Sequence, residues 1–172
     1  MTTYGKISIA SNSPGMPTGY GVQAGILMNN LMRDGHEVAS LSNYGLEGAM
    51  STIETDYGTV PHYPRGYTLY SGDVLPTHHK HFVGESDKPN AIITLYDAWV
   101  YLDVPKLDDL RFWSWTPVDH ISVPPKVKAW ADKPNVKTIA MSPFGQQQFQ
   151  KLGIDAAYIP HSVDTKAYKP TQ

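Results

Sequence analysis

The first 42 residues constrain the fold more than any other part of the chain. An apolar run, Ile7-Ser-Ile-Ala10, leads into small and turn-forming residues from Asn12 to Gly21. Then Val22, Ile26, Leu27, Leu31 and Met32 recur at the spacing of one helix face. Gly35 stands where a left-handed cap would end that helix, and Glu37-Val-Ala-Ser-Leu-Ser42 reads as a second strand. A strand, a loop, a helix and a strand in this order form the unit of a parallel sheet with a right-handed crossover.

The alternation continues. Ala91-Ile-Ile-Thr-Leu-Tyr96, Arg111 to Thr116, Val136 to Met141 and Ala156 to Ile159 read as strands. Between them, Leu107 to Leu110 suggests a helical turn, and Pro124 and Pro125 open a helix to Ala131. Ser142 caps a helix that runs from Pro143 to Leu152 and stops at Gly153. Residues 43–75 carry no helical period and predict loops with short strands at Met50–Ile53, His62–Tyr63 and Tyr67–Leu69, and a short helix follows over Thr77–Glu85. The fold class expected is α/β, a Rossmann-like open parallel sheet sandwiched by helices.

At 172 residues the chain is about one domain long. A formal net charge of −2, with no Lys/Arg block, lacks the footprint of a phosphate-backbone binder and argues against nucleic acid as partner. There is no cysteine, hence no disulfide framework and no thiolate nucleophile or metal ligand. No signal pattern and no apolar stretch of about 20 residues is seen, from which a cytoplasmic location and no membrane span are expected.

Gly19-Tyr-Gly-Val-Gln-Ala24 satisfies G-x-G-x-x-A between a strand and a helix. Glycines there let the backbone approach a pyrophosphate, and a helix start offers free N–H groups. The motif lies about eight residues beyond Ser11, too far for the tight dinucleotide turn, and the end of the second strand at Ser42-Asn43 offers no Asp or Glu to hold a ribose. An NAD-dependent oxidoreductase is therefore disfavoured, and no Gly-Lys-Ser/Thr marks a P-loop. A merely flexible turn is the plain alternative for Gly19, Tyr20 and Gly21.

Open sheets bind ligands at the carboxyl ends of their strands. Three polar groups are expected there: Tyr96-Asp97 with Trp99, Asp119-His120, and Ser142. Asp119 with His120 is the best acid/base pair by residue type; a turn aspartate and a surface histidine are the alternative. Asp97 is either a site carboxylate or a cap. His78, His79 and His81 lack the spacing of a ligand set, so no metal is expected and exposed histidines are.

The glycine motif at one end is matched at the other by Tyr158-Ile-Pro-His-Ser-Val-Asp164 and a Lys169-Pro170 tail. In that order these resemble the amino-terminal, acceptor-side half of a family-4 retaining glycosyltransferase with the two-domain GT-B fold. The resemblance implies a domain over 1–160 and a linker over 161–172 leading to a nucleotide-sugar domain absent from these residues. It implies that backbone amides at Gly19, Tyr20 and Gly21 meet the donor's pyrophosphate, with Asp97 ordering an acceptor hydroxyl and His120 touching the donor sugar. His120 falls several residues beyond its strand, and Ser162 stands where the family has glycine. The implied partners are a nucleotide-sugar donor, an unknown acceptor, and a second domain or complementary chain; no cofactor beyond the donor substrate is implied. Without that second half the chain is expected to be inactive. The competing reading is a stand-alone α/β binding module without catalysis.

Overall fold

The computed structural model describes residues 5–165 and 168–170. Eight strands form one sheet in the order β3-β4-β2-β1-β5-β6-β7-β8. They are β1 (Lys6–Asn12), β2 (Glu37–Tyr44), β3 (Ser51–Thr55), β4 (Gly58–Tyr63), β5 (Asn90–Leu95), β6 (Phe112–Thr116), β7 (Val136–Ala140) and β8 (Ala157–Tyr158). All neighbours pair parallel except β3 with β4, an antiparallel hairpin at the sheet edge. The helices are α1 (Gly19–Arg33), α2 (Leu75–Val83), α3 (Pro125–Ala131) and α4 (Pro143–Gln150). No helix among the described residues is long and apolar enough to cross a membrane.

The central strands are buried on both faces, as continuous apolar runs in a parallel sheet require. One face carries Ala10, Ile92 and Phe112 under α2 and α3, with Trp130 packed edge-on against Phe112. At its far end Val127, Ala140 and Phe149 join α3 and α4 to the sheet. On the other face Ile9, Val38, Leu95 and Trp115 pack on Ala24 and Met28 of α1. That second layer is thin: α1 does not reach Trp113, which lies on its face in register with Ile93 and remains 38% exposed.

The helix ends follow their sequence signals. Ser142 Oγ accepts from Gly145 N at 3.0 Å and caps α4. Gly35 takes φ 92° after α1, where its N–H reaches Met32 O and the next N–H reaches Leu31 O. Three expectations need correction. Helix α1 begins at Gly19 rather than Val22. Tyr67–Leu69 is no strand; it runs into a tight turn at Leu69–Ser71 in which Tyr70 and Ser71 take φ 62° and 60°. Of the three histidines expected in solvent, only His81 is exposed; His78 is half-buried and His79 lies in the core. His79 is 1% exposed between Ser8 and Asn90, His81 Nδ1 meets Tyr63 Oη at 2.7 Å, and His78 stacks on the Tyr63 ring.

Candidate functional site

Strand order reverses at β1, with β2 on one side and β5 on the other, so the crevice beyond their carboxyl ends is where an open α/β sheet binds ligands. The Ser13–Thr18 loop turns out of β1 there. It is tied back at two points: Ser13 N donates to Tyr44 O at 2.8 Å and Met16 N to Ser13 O at 2.9 Å. Thr18 is the N-cap of α1. Its Oγ1 accepts from Gly21 N at 3.0 Å and from Asn12 Nδ2 at 2.9 Å, which fixes the cap to the end of β1.

The glycine motif is consequently the first turn of a helix, not a loop. The two glycines have different reasons to be there. A Cβ on Gly21 would lie 2.6 Å from Met16 O and 2.8 Å from Ser13 O, so the loop's close passage over the helix forces glycine. A Cβ on Gly19 would meet nothing within 4 Å, and packing gives no reason for glycine. Of the amides between Thr18 and Val22, three are used: Thr18 N by Met16 O, Gly21 N by Thr18 Oγ1, Val22 N by Thr18 O. The N–H groups of Gly19 and Tyr20 make no hydrogen bond among the described residues. A free pair of donors at the positive end of a 15-residue helix opens beside the crevice.

Asp97 is the second residue after β5, following Tyr96. It occupies the cap position of the Ala98–Tyr101 turn, yet its side chain makes no capping hydrogen bond. Burial, and then the charge of Asp119, raise the Asp97 carboxyl above its ordinary range. Burial also raises Tyr20, with Asp97, Tyr70 and Asp119 adding to the effect in that order. Residues from α1, from the turn before α2 and from the loops after β5 and β6 thus share one electrostatic neighbourhood. His120 Nδ1 pairs with Asp119 Oδ1 at 2.5 Å, but the two side chains are 68% and 85% exposed on the loop between β6 and α3. Asp119 acts on Asp97 and Tyr20 through its charge, while both members of the Asp119–His120 pair stand largely in solvent. Ser142 serves its helix.

Two groups were not foreseen. Tyr70 leans on Tyr96 with ring centroids 5.4 Å apart, and its carbonyl accepts from Tyr101 Oη at 3.1 Å. The segment after β8 crosses back over the sheet toward α1. Trp115 Nε1 donates to Ile159 O at 2.8 Å, His161 stands edge-on to Trp115, and the Gln23 amide exchanges two hydrogen bonds with the Ser162 backbone, 2.7 and 2.8 Å. A glutamine on the exposed face of a helix gives no sequence signal for such a role.

No protein-family model and no curated protein sequence matches the chain. Among solved structures, the catalytic domain of starch synthase IV from Arabidopsis thaliana, bound to ADP and acarbose, aligns over 100% of this chain with a TM-score of 0.54 at 14% identity. The match covers 54% of that protein, so this chain spans about half the length of the structure it resembles. The fold is the α/β, Rossmann-like fold of one half of a GT-B glycosyltransferase.

Proposed function

We propose that the chain is the acceptor-side half of a retaining, nucleotide-sugar-dependent glycosyltransferase of the family-4 type. The observation that carries this reading is the pair of unbonded amides on Gly19 and Tyr20, open at the switch point of the sheet. A departing nucleoside diphosphate accumulates negative charge on its oxygens, which free amides and a helix dipole stabilise without reorganising. The transferred ring develops positive charge as in glycoside hydrolysis, and Asp97 and Asp119 supply carboxylates in the same crevice. The site is thus complementary to both ends of a breaking glycosyl–phosphate bond. Asp97, with its raised proton affinity, is the residue to order an acceptor hydroxyl. The ADP bound to the structural relative is a donor product of this chemical class. The crossing of Ile159–Ser162 to α1 fits a domain over 1–160 whose chain leaves toward a second one.

The test is an amide-resolved NMR titration with ADP, UDP and GDP into the millimolar range. The Gly19 and Tyr20 resonances are expected to shift, more than those of the bonded Thr18 and Val22. Gly19→Ala adds a methyl group into open space and is expected to weaken the shift while leaving the melting temperature intact. If both amides stay unmoved by all three diphosphates, the reading is wrong.

A further inference from the structure

The loop between β4 and α2 spends conformational energy that packing does not explain. Tyr70 and Ser71 are successive non-glycine residues in the left-handed region, at φ 62° and 60°. Each such residue costs on the order of 1–3 kcal/mol, and strain of this kind persists only where surrounding contacts over-determine it. Here they do. The Asp73 carboxylate accepts from Tyr67 N at 2.9 Å, Thr68 N at 3.3 Å and Thr68 Oγ1 at 2.6 Å. Ser71 Oγ accepts from Gly66 N at 3.2 Å and donates to Ser42 O at 3.4 Å. A side chain on Gly66 would collide with the Asp73 carboxylate.

What this framework holds out is two tyrosines. Tyr70 is turned to the crevice, against Tyr96 and within the electrostatic reach of Tyr20. Tyr67 is 100% exposed at the rim of a separate pocket of about 500 Å³, shared with Glu47, Arg65, Val74 and His78. Among the residues that line the pocket the formal charges pair. Arg65 Nη1 sits 3.2 Å from Glu47 Oε1, and burial, then His81, lower His78 and so favour its uncharged form, against a smaller opposite push from Asp73. A guanidinium already paired and an uncharged imidazole are poor hosts for a phosphate or a carboxylate. A fully exposed aromatic ring at the rim of a pocket of paired donors and acceptors suits the alternating C–H and O–H surfaces of an uncharged sugar. Beyond it, at the end of β2, Asn43 Oδ1 is buried with no hydrogen-bond partner among the described residues.

We propose that Tyr67, Arg65, Glu47 and His78 form a remote subsite for an uncharged oligosaccharide acceptor, joined to the reaction crevice by Tyr70. This rests on the glycosyltransferase reading and assigns its acceptor: a neutral glycan of more than one residue, one end at Asp97 and the other on Tyr67. Tyr67 and Arg65 are specificity-determining residues, distant from the transferred bond.

The experiment applies the 172-residue protein to an array that carries neutral oligosaccharides beside sialylated and uronic-acid glycans. Binding to neutral members is expected, weakened about tenfold by Tyr67→Ala, the loss of one aromatic contact. Arg65→Ala, which leaves Glu47 unneutralised, is expected to weaken it as well. Because the Tyr67 side chain touches solvent on all sides, the variant is expected to melt with the wild type. No glycan binding, binding confined to acidic glycans, or equal binding by Tyr67→Ala overturns the proposal. The ADP titration at Gly19 and Tyr20 reads the parent reading separately: amides that shift in a protein that binds no glycan sink the subsite alone.

Discussion

Asp97 and Asp119 make the electrostatics of the crevice a measurable property of single residues. Two like charges near one another oppose ionisation of the more buried partner. Asp119→Asn removes one of them, so the Asp97 midpoint, followed by carboxyl-carbon NMR, is expected to fall toward its ordinary range while remaining above it, because burial is the larger cause. An unchanged midpoint would place the two groups apart. The buried histidines offer the opposite case. Asn90 Oδ1 can only accept, so His79 carries its proton on Nε2 and takes the Ser8 hydroxyl on Nδ1. Burial lowers His79, and likewise His62, below the ordinary 6.5. In the unfolded chain these rings bind protons first as pH drops, so stability is present above about pH 6.5 and is lost as pH falls through the lowered folded values. Urea midpoints measured from pH 7.5 to 5 are expected to decline. Ser8→Ala strands Nδ1 in the core and is expected to cost about 1–3 kcal/mol at pH 7.

Helix α1 shows what a sequence discloses about an element and what it hides. Its apolar stripe and its closing Gly35 are local facts, and both hold. Its start is not local. The expectation of Val22 came from the first apolar residue, whereas the helix begins where Thr18 is capped, and that cap is fixed by Asn12 six residues earlier. The Tyr67–Leu69 strand failed for a related reason: tyrosine, threonine and leucine suit a strand by propensity, but Asp73 ties Tyr67 and Thr68 into a closed turn. Contacts at long separation are the least legible of all. Gln23 and Ser162 are 139 residues apart, and only the folded sheet brings them together. That contact predicts an element-scale behaviour. Gln23→Ala is expected to speed amide exchange and protease cleavage at 159–165 while leaving exchange in β1 and β5 unchanged; slowing, or a global loss of protection, would show that the segment is held otherwise. Within α1 itself, Gly25→Ala meets only ordinary contacts with Pro14 and is expected to stabilise by roughly 0.5–1 kcal/mol. Gly21→Ala is expected to destabilise.

At the scale of the whole molecule, the crevice has one wall. The sheet supplies a floor of strand ends, α1 supplies two amides, and Tyr20 lies within electrostatic reach of Asp97 and Tyr70. On the other side, Asp119 and His120 stand in solvent at 85% and 68% exposure. Charge stabilisation of a departing diphosphate is strong where water is excluded and weak where it is not, because water screens the amides and competes for the reactive ring. The second layer of the fold is open in the same sense: α1 alone covers its face among the described helices, and Trp113 is left uncovered beyond it. In the structural relative, a fold of this kind accounts for 54% of the chain. On the glycosyltransferase reading proposed above, residues 1–172 by themselves are expected to bind without transferring. Incubated with radiolabelled ADP-, UDP- and GDP-sugars and the neutral glycans it retains on an array, the purified 172-residue protein is expected to form no labelled product above the no-enzyme control, even where its Gly19 and Tyr20 amides respond to the diphosphate. Product formation by this chain alone, abolished in Asp97→Asn, would mean that its exposed ledge suffices for catalysis and that no facing wall is required.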